Sequence, residues 1–387
     1  MARTWRKVAE RLAGVAVLGA LPVMIGCGPF FECEGKTSCG SSDSTTSSDI
    51  VLASNSSTGS TYINSWTLSS GALTAVSGSP FLLSFAPTAM VVSEANGYLF
   101  VASPAGTIYS YALSSAGVPS NGTAQAVTGY PEASMDISSD GKWLFAVDNA
   151  TATAPALRVY SISSSGVLSA VTSYALTNKT GYTISPKSVR VSPNNDYVAV
   201  AMGAGGEDIL AFDTSDGSFS TITWLNTASA ADGDNAIAWD NNDNLYVART
   251  TSSTSTVYSV LIYNMSKGAF TTSIPSSYTT GTAPSAMAFV DDYKYLYVAN
   301  KSDSTISSFS QASGVLTQLG STNTSAPTSV SSLSSDKSGD YLLAAGYDSS
   351  SGIQVFSVGS SGILAVQPTT AATGTTTSVP ALVVSTH

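Results

Sequence analysis

Glu132, Asp148, Lys187, Asp234 and Arg249 are the residues of this chain whose types best fit chemistry. A carboxylate can take a proton from water, and a cation can hold the oxyanion formed when that water attacks an ester carbonyl. Glu132 or Asp234 can serve as the base. Lys187, Arg190 or Arg249 can hold the oxyanion, with Asp136, Asp148 and Asn300 as ligand-binding neighbours. The bland reading stands beside this one: Asp136 and Arg190 form a buried pair, and the remaining charges are solvated loop ends. Charged residues are only 10% of the sequence, so a group of them at matched positions carries information.

Other chemistries find little support. The single histidine is His387, the last residue, which removes any Ser–His or Cys–His nucleophile. The cysteines are Cys27, Cys33 and Cys39, with no histidine near them, so neither a metal site nor a cofactor is expected. Asp240-Asn-Asn-Asp-Asn244 alternates oxygen ligands as a calcium loop does, but lacks the glycine at the sixth place and the glutamate at the twelfth. It reads as a turn. Met202-Gly-Ala-Gly-Gly206 opens no helix and reads as a hairpin loop rather than a phosphate cradle.

The matched positions come from a repeat. Tyr98-Leu-Phe-Val-Ala102 recurs as Trp143-Leu-Phe-Ala-Val147, Tyr197-Val-Ala-Val-Ala201, Asn244-Leu-Tyr-Val-Ala248, Tyr295-Leu-Tyr-Val-Ala299 and Tyr341-Leu-Leu-Ala-Ala345, with a clipped copy at Ile50-Val-Leu-Ala53. Successive copies end 49, 45, 54, 47, 51 and 46 residues apart. Units of that length built from short strands predict an all-β fold, a seven-bladed β-propeller of four-stranded blades. A Pro-led strand precedes each copy, joined to it by turns such as Asn96-Gly97 and Asp140-Gly141 that suit positive φ. A third strand and a Ser-Gly-x-Leu turn into an outer strand follow, as at Ser165–Leu168, Ser313–Leu316 and Ser361–Leu364. The strand aromatics read as core between blades. The first copy lacks its Pro-led strand, and Val379–Ser385 is a Pro-led strand without a copy. Together they complete blade one and close the ring, which removes a sheet edge.

Antiparallel pairing puts the residue after each leading proline beside the residue after each Val-Ala, at one mouth of the channel. The first set is Thr88, Glu132, Lys187, Asp234, Ser285, Thr328 and Ala381. The second is Ser54, Ser103, Asp148, Met202, Arg249, Asn300 and Gly346. Deeper in the inner strands the aligned residues are Val91, Asp136, Arg190, Ile237 and Ala288.

The Pro-led strand, the Asp-Gly turn, Tyr295–Asn300 and the Ser-Gly-x-Leu turn together resemble the lactonase-like seven-bladed propellers, which include bacterial 6-phosphogluconolactonases. The resemblance spans residues 49–387 and implies a lactone or sugar ligand. Members of that family often carry histidine after the leading proline, and here those positions hold none.

The N-terminus gives an address. Residues 1–11 carry four cations, and Leu12–Ile25 is a 14-residue apolar run, the length of a signal-peptide core. Met24-Ile25-Gly26-Cys27 resembles the lipobox of bacterial lipoproteins. The expected organisation is a signal peptide over 1–26, lipidated Cys27 and a flexible tether over 27–48, and the propeller over 49–387. Gly28 after the cysteine implies the outer membrane rather than the inner, with the propeller in the periplasm or at the surface. Export permits a Cys33–Cys39 disulfide. Loss of residues 1–26, with four cations and one acid, takes the formal charge from −10 to −13. No basic cluster follows, which excludes nucleic-acid binding. A monomer is expected, partnered by the membrane through its lipid and by a small lactone, a sugar or an envelope protein. Three functions fit: a ligand-binding propeller, a periplasmic lactone hydrolase, and a surface interaction protein using Ser/Thr-rich outer loops.

Overall fold

The computed structural model describes residues 49–386 apart from 58–59, 121, 150–153, 178–180, 226, 228, 252–256, 267–268, 271–276, 348–351 and 372–381. The leader, Cys27, Cys33, Cys39, Ala381 and His387 lie outside the described residues. The strands described form seven antiparallel sheets, each ordered from an inner strand to an outer one. Blade 2 shows the plan with Ala89–Val92, Tyr98–Ala102, Thr107–Ala112 and Thr123–Val127. Blades 1, 5 and 6 depart from four strands only in that a second short segment also pairs with the third strand. In blade 1, for example, Ala72–Ala75 and Phe81–Leu83 pair with different parts of Ser60–Ser69.

Ring closure follows the expectation. Val383–Ser385 pairs antiparallel with Asp49–Ser57, Val51 opposite Ser385 and Ala53 opposite Val383. Backbone hydrogen bonds extend the ladder at both ends, from Ser54 N–H to the Leu382 carbonyl (3.0 Å) and from Thr386 N–H to the Ile50 carbonyl (2.9 Å).

There is no single core. Each second strand is a short apolar run buried on both faces, as in Leu99, Phe100, Val101 and Ala102, all 0% exposed. One face packs on the preceding blade and the other on the next. Seven apolar clusters result, one at each joint. Ala89, Phe100 and Ile108 of blade 2 meet Leu144 and Tyr160 of blade 3, for instance. Trp143, Phe145 and Leu157 of blade 3 meet Val200 and Phe212 of blade 4.

A recurring contact fixes the angle between blades. The first residue of a second strand lies against the glycine of the turn before the next blade's outer strand. A Cβ on Gly166 would come 2.3 Å from the ring of Tyr98, and one on Gly362 would come 2.3 Å from that of Tyr295. Gly217 meets Trp143 (2.7 Å), Gly71 meets Tyr341 (2.9 Å), and Gly314 meets Asn244 (3.1 Å) in the same way. In the joint between blades 1 and 2 the partner of Gly117 is Ile50 (2.7 Å). These glycines have positive φ, +73° at Gly362 and +70° at Gly166. The backbone turn and the missing side chain are therefore both required. The phenols finish the contact: Tyr295 donates to the Ser360 carbonyl (2.7 Å) and Tyr297 to the Gly362 carbonyl (2.8 Å).

Gly362→Val therefore combines a left-handed backbone with overpacking, and a loss of about 2–5 kcal/mol in denaturant unfolding is expected. Gly97→Ala, where a Cβ meets nothing within 4 Å, is the control and should stay within about 1 kcal/mol of wild type.

Candidate functional site: the channel and its mouth

The inner strands line the channel, and their pairing corrects part of the sequence alignment. Opposite the last Val or Ala of each second strand stand Ala89, Ser134, Ser188, Ala236, Ala286, Ser332 and Val383. The rim residue one step further out is Thr88, Ala133, Lys187, Asn235, Ser285, Ser331 or Leu382. β-Bulges explain the shift. Asp148 pairs with Glu132 and skips Ala133, while Arg249 pairs with Asp234 and skips Asn235. One inserted residue reverses the side-chain alternation. Glu132 and Asp234 therefore leave the channel rim and turn into the joints, 1% and 0% exposed. The same register puts Ala238 rather than Ile237 level with Asp136, and Ile237 packs in the joint between blades 4 and 5. Thr328 lies beyond the inner strand of blade 7, where its carbonyl accepts the Tyr347 N–H (2.8 Å).

Asp234 and Arg249 are partners of one another, not separate base and oxyanion holder. Arg249 Nε and Nη2 reach Asp234 Oδ1 and Oδ2 at 2.5 and 2.7 Å. Nη2 also lies 3.4 Å from Glu207 Oε2. Glu207 begins the third strand of blade 4 (Glu207–Asp213) and is 0% exposed. The sequence reading missed it, although two carboxylates at Glu207-Asp208 opening an apolar strand were the available signal. Burial, and then Asp234, pushes the Glu207 carboxyl well above the usual carboxylate range, and Arg249 offsets part of this. Burial works against the Arg249 charge, but Glu207 and Asp234 outweigh it.

Asp148 is likewise committed. Its Oδ2 accepts the Ala156 N–H (2.9 Å) and pairs with Arg158 (3.1 Å). Glu132, opposite it in the ladder, has no hydrogen-bond partner for either carboxyl oxygen among the described residues. The nearby Thr128 hydroxyl already donates to the Tyr130 carbonyl (2.7 Å). Burial, and then the Asp148 charge, push Glu132 up to about 8.

Asn300 braces the mouth of blade 6 from inside. It is fully buried, and its Nδ2 donates to Thr305 Oγ1 (3.1 Å) and Ser307 Oγ (2.9 Å). Asp240 is spent on structure as well. Its carboxylate accepts from the Asn242 and Asn244 N–H groups, the Asn244 and Gln311 amides and the Tyr246 phenol, so the turn reading holds. Met202–Gly206 forms the expected hairpin loop, closed by the Met202 N–H on the Gly206 carbonyl (2.8 Å).

Three charges remain for the channel. Lys187 is exposed at the rim. Asp136 and Arg190 are half-buried on adjacent inner strands at equal depth, opposite Phe145 and Ala199. Asp136 Oδ2 accepts the Val191 N–H (2.8 Å), which ties blade 3 to blade 4. Arg190 uses Nη1 for the Val189 carbonyl (2.8 Å) and Ser134 Oγ (3.4 Å). Burial raises the Asp136 carboxyl, and the nearby Arg190 charge pulls it back part of the way. A carboxylate beside a guanidinium in a channel wall can hold a hydroxylated acid or position a water at a carbonyl.

Two outcomes follow. Arg249→Met leaves Asp234 and Glu207 buried without a cation, and should lower stability to denaturant by about 3–5 kcal/mol. For Glu132, folded and unfolded chains are both protonated below 4.5, the usual value for a glutamate. Between 4.5 and about 8 only the unfolded chain ionises, so stability falls as pH rises. The slope is about 1.4 kcal/mol per pH unit, and the loss is complete above that window. Glu132→Gln should thus gain on wild type between pH 5 and pH 8.5 in urea unfolding. An unchanged gap would contradict the assignment.

The chain matches the family model described as lactonase, 7-bladed beta-propeller, over residues 49–380. No curated protein sequence matches it. A candidate 6-phosphogluconolactonase of Bacteroides fragilis superposes with a TM-score of 0.70 at 16% identity, over 89% of this chain and all of that one. The periplasmic gluconolactonase of Pseudomonas aeruginosa gives 0.66 at 15% identity, over 83% and 96%. A protein from Lactobacillus plantarum gives 0.67 at 17% identity, over 88% and 99%. At such identities the structures speak for the fold, and the family model speaks for descent. The chain belongs to the lactonase family of seven-bladed β-propellers.

Proposed function

We propose that this protein is an envelope-anchored, lactonase-family propeller that binds a small sugar acid or sugar lactone in its channel, at Asp136 and Arg190 beneath Lys187. One observation carries the reading. Asp234 and Arg249, and Asp148 and Arg158, are spent on one another in the joints, whereas Asp136 and Arg190 stay half-buried in the channel wall at one depth. Arg190 suits a carboxylate or a polarised carbonyl, and Asp136 suits hydroxyls. Lys187 at the rim adds salt-dependent attraction for an anion. The lipobox-like Met24–Cys27 supports the anchor, and the periplasmic gluconolactonase of like fold agrees with an envelope setting. A lipidated Cys27 would tether the propeller to the outer membrane.

Lactone hydrolysis is the second reading, and the adjacency of Asp136 and Arg190 favours it. In that role Asp136 takes a proton from water as the water oxygen bonds to the lactone carbonyl carbon. Arg190 holds the resulting oxyanion. Its collapse breaks the ring C–O bond, and the proton passes to the leaving hydroxyl.

Titration calorimetry with D-gluconate and pH-stat assays with D-glucono-1,5-lactone test both readings. Binding is expected to weaken at least about tenfold in Arg190→Met, equivalent to about 1.4 kcal/mol. Lys187→Met should weaken it less, with the difference vanishing at high salt. A hydrolysis rate above the spontaneous one that Asp136→Asn abolishes would establish the enzyme. Absence of both binding and excess hydrolysis across sugar acids and lactones would overturn the channel site.

A further inference from the structure

A second polar site lies in the outer wall, away from the channel. A cavity of about 450 Å³ opens between the outer strand of blade 2 (Thr123–Val127) and the third and outer strands of blade 3, Ala156–Ile162 and Leu168–Ala175. That volume falls in the range of small-ligand pockets. Its shape comes from another bulge. Tyr160 pairs with Ala170 and Val159 with Thr172, so Val171 is skipped and stands 41% exposed. Bulges bend a strand out of line, and this one kinks the outer wall.

The cavity reaches inward to buried charge. Arg158 lines it with 21% of its side chain exposed, while its partner Asp148 is wholly covered. The ion pair is thus charge-balanced yet shows N–H donors to the cleft. Glu132 stands opposite Asp148 in the ladder, its carboxyl oxygens without a hydrogen-bond partner among the described residues. Tyr160, Ser173 and Gln125 also line the wall, and Gln125 Oε1 accepts the Leu168 N–H (3.3 Å). Leu168 and Ala170 supply apolar surface.

We propose that this lateral cleft binds a neutral, hydroxylated ligand of monosaccharide size. Arg158, Gln125, Tyr160 and Ser173 hydrogen-bond its hydroxyls, and Leu168 and Ala170 cover the C–H face of its ring. The balanced Arg158–Asp148 pair selects the neutral class. An anion would have to displace Asp148, leaving that carboxylate buried and unpaired, and a cation would meet a guanidinium. The site shares no residue with the channel.

Saturation-transfer NMR of the full chain with the methyl glycosides of glucose, galactose and mannose at millimolar concentration tests this. At least one glycoside should receive saturation. Ala170→Trp, on an exposed residue of the cleft, should weaken its binding at least about tenfold, as should Ser173→Phe on the exposed residue opposite Arg158. Arg190→Met should leave it unchanged, and gluconate should not displace it. Absence of transfer to every glycoside, or transfer that survives both cleft-filling substitutions, would overturn the proposal. Transfer lost in Arg190→Met alone would move the sugar to the channel, overturning the lateral site while upholding the channel reading.

Discussion

The structure depends on the joint between blades, where the first residue of one second strand lies on a side-chain-free turn of the next blade. A blade of four short strands cannot bury both of its faces alone. Each therefore borrows a face from either neighbour, and seven apolar clusters take the place of one core. The Tyr–Gly and Trp–Gly contacts set how closely blades approach at their outer edge. Closure by Val383–Ser385 then makes the first joint like the others. Because the angles repeat, inner strands arrive at the channel at matched depth, which is what brings Asp136 level with Arg190.

The same joints explain the placing of charge. A sheet buried on both faces tolerates a charge only with a partner, and the partners sit where strands end near the mouth. Arg249 is shared by Asp234 and Glu207 in one joint, and Arg158 serves Asp148 in another. Arg249 ties the inner and second strands of blade 5 to the third strand of blade 4, and Arg158 ties the second and third strands of blade 3. Asp234, Arg249 and Asp148 are poor catalysts, because each is committed to another and closed to solvent. The channel pair differs in solvent access and in commitment: Asp136 accepts the Val191 N–H, and Arg190 spends one nitrogen.

Much of the fold was legible in the sequence. The Tyr-Leu-Tyr-Val-Ala phrase is a strand buried on both faces, and its period gave the blade. The missing Pro-led strand at one end and the spare one at the other gave the closure. Depth in the channel was less legible. Ala133 and Asn235 are bulged residues with no glycine or proline to betray them, and one such insertion moves a neighbouring side chain from channel to joint. Glu132 and Asp234 consequently looked like rim residues. Asp136 and Arg190 were found at the right depth, since no bulge falls between them and the end of the strand. Glu207 went unseen because it enters from the third strand, to which the alignment assigned no chemistry. The lateral cleft was equally hidden, its walls coming from two blades and a bulge at Val171.

The decisive measurement is a crystal structure of the protein soaked in D-gluconate at a concentration that saturates binding in solution. A ligand in the channel with an oxygen about 3 Å from the Arg190 guanidinium, and Asp234, Arg249 and Asp148 unmoved, is the predicted result. Gluconate bound elsewhere, or a channel empty at that concentration, would contradict the assignment of Asp136 and Arg190 as the functional pair.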